Sequence, residues 1–253
     1  HFHYCTLLSL SLLFLQLFLP PTAKAEKSPY EWALVRMDYA RDEKVKELRR
    51  FCDRIGKLAH RIPADPQVSA FFDINRIYYQ ASLNEKIPES VTKKIEKTRR
   101  NFDQYYIANY FAFYDMLFID TEGRVFYTLR KEGDIYGHLL DDAETQSPLA
   151  KCIARKPQKE TFLDFHDYGP SREPAAFFVE PVRKDNKIIG WIALQLAINK
   201  VNSLFTTSNQ LGQTGEVFLV NDQGYMLTDS NFDGDTAILQ RHLADKNIQA
   251  KFK

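Results

Sequence analysis

The sequence predicts an α+β protein: a long N-terminal helix, a module with a five-stranded antiparallel sheet, and the start of a second module of the same kind. Three observations carry this. Residues 30–62 are charged and helix-favouring, with apolar residues from Val45 to Ile62 at spacings of three and four, and two further helix candidates precede residue 110, whereas apolar runs punctuated by turn residues come after them. Residues 113–129 (FYDMLFIDTEGRVFYTL) also return in altered form as residues 216–230 (EVFLVNDQGYMLTDS), with Gly123 and Gly224 in register. Each copy reads as a hairpin, two apolar runs joined by a polar turn that Gly closes, and such self-similarity marks a duplicated unit.

Taken in order, residues 1–25 form a signal peptide or membrane anchor. Residues 4–19 (YCTLLSLSLLFLQLFL) carry no charge and precede Pro20, Pro21 and the small-residue pattern Ala23-Lys24-Ala25. The run is shorter than the ~20 residues of a spanning helix, so cleavage and anchoring both stay open. Either one directs the chain to a membrane, with the residues after it outside the cytoplasm. Residues 26–66 form the long stalk helix, in which Val45, Leu48, Cys52, Ile55, Ala59 and Ile62 make an a/d stripe that Pro63 and Pro66 end. A partner copy in a homodimer and packing on the helix's own module would both produce that stripe. Cys52 and Cys152 could form one disulfide, but their spacing marks neither a disulfide framework nor a metal site, and the plainer reading is two small buried hydrophobes.

The membrane-distal module is expected over residues 67–206. It opens with helices at 67–81 and 89–109, then the first hairpin, a polar loop at 131–146 and a short helix at 148–155. Strands at 161–166, 175–182 and 187–197 bring the sheet to five, and a helix at 199–206 leads out. Residues 207–253 begin the second module, whose sheet is expected to be incomplete at Lys253. The balance of 34 Lys and Arg against 33 Asp and Glu offers no case for a nucleic-acid partner.

The strings YDMLFIDTEGRVFYTLRKEGDIYGHLL, DFHDYGPSREPAAFFVEPV, IIGWIALQL and LGQTGEVFLVNDQGYMLTDS, taken together, resemble the double Cache sensor domain of bacterial transmembrane receptors. The resemblance runs from about Met37 to the C-terminus. It implies PAS-like Cache modules on the extracytoplasmic side of the inner membrane, a small-molecule ligand, and a cytoplasmic output of chemoreceptor, histidine kinase or nucleotide cyclase type. One subclass of the family grips amino acids through a Tyr followed by Arg-x-Trp-Tyr. If Tyr136 is that Tyr, Asp141, Ala143 and Glu144 stand where Arg, Trp and Tyr should, so an α-carboxylate held in that manner is disfavoured. The acidic cover of Asp141, Asp142 and Glu144 either favours a cationic ligand or is simply solvated.

A ligand between one sheet face and its cover is touched by alternate strand residues and the capping loops. Alternation along residues 124–130 puts Val125, Tyr127 and Leu129 on one face and offers the Tyr127 hydroxyl. The loop at 165–174 (FHDYGPSREP) brings together Asp167, Tyr168 and Arg172, Tyr136 lies in the cover, and Asp164 precedes the loop. Their aromatic walls and few charges suit a small polar metabolite. No cofactor is implied. Asp164 and His166 could share a face and hold one edge of a metal, but no third ligand has a recognisable spacing. Motifs of nucleophilic, metallohydrolase or phosphate-loop enzymes are absent from the sequence. An exported enzyme and a released periplasmic binding protein are the alternatives to a receptor.

Overall fold

A computed structural model describes residues 27–110, 112–141, 147–206, 211–212, 215–232 and 238–243. In chain order the elements are α1 (Pro29–Ala64), α2 (Pro66–Asn84), α3 (Glu89–Asn109), β1 (Phe113–Asp120), β2 (Val125–Thr128), α4 (Pro148–Ala154), β3 (Thr161–Tyr168), β4 (Glu173–Lys184), β5 (Lys187–Leu196) and α5 (Ile198–Thr206). The five strands form one antiparallel sheet in the order β2-β1-β5-β4-β3, so the fold is α+β with the expected strand count. No helix of the described residues is long and apolar enough to cross a membrane. The expected export segment, residues 4–19, lies outside them.

Of the described residues, those from 27 to Tyr39 belong to one compact unit and those from Ala40 onward to a second. In the first, Ser28 Oγ accepts from the Glu31 N–H at 3.2 Å and Glu31 Oε2 accepts from the Ser28 N–H at 2.7 Å, a capping box around Pro29. Tyr30, Trp32, Leu34, Met37 and Tyr39 of this unit are exposed.

In the second unit the sheet carries a core on each face. On one side, Phe51, Ile55, Ala59 and Ile62 of α1, Val68, Phe71, Phe72 and Tyr79 of α2 and Tyr106 of α3 pack against Met116, Phe118, Phe126, Tyr127, Ile192 and Leu194. On the other, Leu149, Cys152 and Ile153 of α4 pack against Leu117, Ile119, Val125, Phe177, Val179, Trp191 and Ala193. The a/d stripe of α1 is thus packed into the protein's own core, with Ile55, Ala59 and Ile62 buried and Leu48 packed on it, while Val45 is exposed.

Two sequence expectations change here. Pro63 does not end α1 but sits in its last turn, where the helix stops one residue later and little downstream helix remains to be disrupted. Pro66 instead opens α2, whose N-cap Asp65 accepts from the Gln67 N–H at 2.8 Å. Among the described residues Cys52 and Cys152 are both free, Cys152 buried as expected but Cys52 exposed.

The sequence repeat is also a structural one. In the first copy Asp120 Oδ1 accepts from the N–H groups of Glu122 and Arg124, both at 2.9 Å, and Gly123 has φ 84°. In the second, Asn221 Oδ1 accepts from Gln223 and Tyr225 at 3.1 and 2.8 Å, and Gly224 has φ 88°. A positive φ closes each turn, and Gly adopts it without a Cβ penalty. The likeness continues past each hairpin: Tyr136 N–H donates to Val125 O and Leu239 N–H to Met226 O, each at 2.7 Å, and both donors have positive φ. The second hairpin, expected as two strands, is paired through one isolated bridge, Val220 with Met226, while Tyr225 bridges outward to His242.

Candidate functional site

Asp115 is the least expected residue of the sheet. It interrupts an apolar strand, is 1% exposed, and pairs directly across the β1–β5 ladder with Gln195, itself an interruption of the apolar run of β5. Asp115 Oδ1 accepts from the N–H groups of Met116, Leu129 and Arg130 at 2.6, 2.9 and 3.1 Å. These bonds hold the chain where β2 ends and the cover loop begins. Burial outweighs them and pushes the Asp115 carboxyl up to about 7, and the neighbouring charge of Asp134 adds to the rise.

Around Asp115 the cover loop and the β3–β4 hairpin add further polar groups. Asp134 is buried, accepts the Tyr168 hydroxyl hydrogen bond on Oδ2 at 2.7 Å, and is raised by burial. Glu132 accepts from the Tyr114 hydroxyl at 2.5 Å, which with burial pushes that tyrosine up to about 12. Gln195 Nε2 donates to Ser171 Oγ at 3.1 Å. The charges of Asp134, Asp115 and Glu132 all raise the Tyr168 hydroxyl, after burial itself. Asp115 Oδ2, Glu132 Oε2, Asp134 Oδ1 and Gln195 Oε1 are nevertheless buried without a hydrogen-bond partner among the described residues. Buried polar atoms are otherwise almost always satisfied, so four orphan acceptors in one neighbourhood make this a candidate site for a hydrogen-bond donor.

The residues predicted from the sequence divide into two groups. Asp167, Tyr168 and Arg172 line one cavity of about 580 Å³ at the β3–β4 hairpin, together with Asn202 of α5 and Asp229 of the second repeat. Tyr168 belongs to both features, its ring edge-on to Phe177 at 4.9 Å and its hydroxyl on Asp134.

Tyr127, Tyr136 and Asp164 lie elsewhere. The register of β1 and β2 slips so that Phe118 faces Tyr127 while Ile119 faces Val125, leaving Phe126 as an extra residue. That bulge breaks the expected alternation: Val125 stays on the cover side, while Phe126 and Tyr127 both turn to the helices. There the buried Tyr127 hydroxyl donates to Asp103 and Arg99 stacks over its ring at 4.9 Å. Tyr136 is 55% exposed, its ring stacked on Tyr79 at 5.7 Å. Asp164 is exposed at a second register slip and accepts from the Phe165 N–H at 2.8 Å. Of the acidic cover positions, Asp142 and Glu144, with Ala143 between them, lie outside the described residues.

No protein-family model matches the sequence, and no curated protein does. Solved structures do. The sensor domain of the V. cholerae histidine kinase DctB superposes with a TM-score of 0.50 at 15% identity, over 70% of this chain and 60% of that one. The ligand-binding domain of the Campylobacter jejuni chemoreceptor Tlp3, solved with 4-methylisoleucine, gives 0.50 at 16% identity, over 83% and 73%. A domain of a sensory box/GGDEF family protein from Vibrio parahaemolyticus gives 0.51 at 14% identity, over 80% and 71%. The chain shares the fold of these sensor and ligand-binding domains. Within it Asp115, Gln195 and the Tyr168-bonded Asp134 lie on the sheet face that α4 covers, opposite the long helix. The chain spans 60% of the length of the DctB domain.

Proposed function

We propose that this chain is the extracytoplasmic ligand-sensing region of a bacterial signal-transduction receptor, tied to the membrane through its N-terminal segment. Residues 67–206 serve as the membrane-distal module and residues 207–253 as part of a membrane-proximal one. The four orphan acceptors beneath the cover carry this assignment. Carboxylates crowded in a buried site raise one another's proton affinity, and a cation carrying several N–H donors relieves both the charge and the lost hydrogen bonds. The ligand is therefore a small metabolite with an ammonium, amidinium or guanidinium group set among Asp115, Glu132, Asp134 and Gln195. Asp167, Tyr168 and Arg172 form the rim.

Signal transfer runs along the packing. Asn202 exchanges hydrogen bonds with Asp229, side chain to side chain and side chain to backbone, each at 2.9 Å, which ties α5 to the second repeat. Lys44 of α1 donates to Leu204 O of α5. A ligand that favours one arrangement of the β3–β4 hairpin thus biases α5 and α1, by no more than its differential affinity for the two arrangements. The exposed Tyr30, Trp32, Leu34 and Met37 are where a homodimer through the long helix would form.

Thermal-shift measurements on the full chain with diamines, guanidino compounds, amino acids and dicarboxylates test the ligand class. A cationic compound at a hundred times its Kd should raise stability by about 2.7 kcal/mol, and Asp134→Ala should abolish the rise. Stabilisation by dicarboxylates alone, or a cation effect untouched by Asp134→Ala, would refute the assignment. Catalytic turnover of the stabilising compound would favour an exported enzyme instead.

A further inference from the structure

Away from the cover, His60, Glu160 and Glu180 meet on the helix side of the sheet. One donor atom from each lies within 4.8 Å of the others, and His60 Nδ1 is 3.2 Å from Glu180 Oε1. We propose that these three side chains hold a divalent transition-metal ion of the zinc class, which fastens α1 to the β3–β4 edge of the sheet.

Glu180 is the observation that needs explaining. Along β4 the positions Ala176, Phe178 and Val182 supply the helix-side core, and Glu180 falls in the same alternation, 6% exposed. A carboxylate among such neighbours calls for a compensating cation. Among the described residues no Lys or Arg is ion-paired to Glu180 or Glu160; the ion pair of Glu180 is with His60. Arg183, the nearest candidate on β4, donates instead to Gln158 O at 2.8 Å. A second carboxylate, Glu160, is brought up where a cation should be.

The donor geometry matches a small tetrahedral ion. Bonds of ~2.0–2.1 Å at tetrahedral angles set neighbouring ligand atoms about 3.3 Å apart. The His60–Glu180 pair already has that separation, and rotamer adjustment of the exposed Glu160 closes the third corner. One imidazole with two carboxylates suits Zn²⁺, Co²⁺ or Ni²⁺, whereas Ca²⁺ and Mg²⁺ favour all-oxygen shells of six or more ligands. Entry is open, because all three residues line a cavity of about 710 Å³ beside Pro63, Ser69 and Lys159, and the His60 side chain is 71% exposed. The ligands come from the last turns of α1, from the residue before β3 and from the middle of β4. An ion there would cross-link the long helix to the two strands that carry the β3–β4 hairpin.

The test is titration of the full chain with Zn²⁺ against a chelator of known affinity. His60→Ala and Glu160→Gln change exposed side chains and should leave the circular dichroism spectrum unchanged. Each is expected to weaken the tightest Zn²⁺ site at least tenfold, and Co²⁺ in the unmodified protein should show the visible absorption of a tetrahedral ion, lost in both variants. Equal Zn²⁺ affinity in the protein and both variants would overturn the proposal, because the ion would then sit on other histidines. Ca²⁺ or Mg²⁺ binding there as tightly as Zn²⁺ would overturn it too.

Discussion

Asp115→Asn is expected to make the protein more stable at pH 8, by about 2–4 kcal/mol, taking about 1.4 kcal/mol for each pH unit by which a folded-state pKa departs from its unfolded value. At pH 4 it should change stability little. Burial raises the Asp115 carboxyl from the ordinary carboxylate range to about 7 in the folded protein. Between about pH 4 and 7 the folded state therefore holds a proton that the unfolded chain has released. Stability is fully present below the unfolded value, falls as pH rises, and levels off above the folded value. Asparagine keeps an oxygen for the N–H groups of Met116, Leu129 and Arg130 and sets an NH₂ where Asp115 Oδ2 has no partner. Urea midpoints of both proteins from pH 4 to pH 8 give the answer. The substitution should flatten the slope without removing it, since Asp134 is raised in the same direction. An Asn variant equally destabilised at both pH values would mean that the charged form is satisfied, and the orphan oxygen would lose its meaning.

The same carboxyl links proton and ligand. A cation placed against Asp115 favours its ionised form, so binding releases the proton, and affinity should rise through pH 6 to 8 and then level. In Asp115→Asn that rise should shrink.

The alternation and turn chemistry of the chain made the fold readable. The five strands, the three leading helices and the repeated turn at Gly123 and Gly224 are each written locally, in period and punctuation. That Asp167, Tyr168 and Arg172 would line one cavity was legible for the same reason: they share one hairpin, and a hairpin brings its own residues together. The rest depended on register. A single extra residue at Phe126 turned Tyr127 to the helices, and nothing local in residues 124–130 marks a bulge. The acceptors that matter most did leave a signal, Asp115 and Gln195 being polar residues inside apolar strand runs. Their meeting, however, is a pairing of β1 with β5 across about eighty residues of chain, which periodicity cannot show. Glu180 carried the same signal, and its partner His60 lies 120 residues away.

That β1–β5 pairing depends on Gly190, and Gly190→Ala is expected to cost about 2–6 kcal/mol, from overpacking of about 1–3 and backbone strain of about 1–3 together. Gly190 lies opposite Asp120 on β1 and Val182 on β4. Its φ is 150°, outside the range L side chains ordinarily adopt, and a Cβ there would lie 2.2 Å from Ile119 O and 2.5 Å from Phe72 Cζ. The carbonyl cannot retreat without opening the ladder, and Phe72 is fully buried between the sheet and α2. Gly56, in the middle of α1, is the control, since a Cβ there would meet nothing within 4 Å. Gly56→Ala should instead stabilise by about 0.5–1 kcal/mol, the helix preference of Ala over Gly. Thermal melts should separate the two variants by roughly 10 °C or more, at about 2–4 °C for each kcal/mol in a chain of this size. A Gly190→Ala loss below about 1 kcal/mol would mean that β1 and β5 do not approach so closely. Asp115 and Gln195 would then not be held face to face, and the acceptor cluster would lose its frame as well.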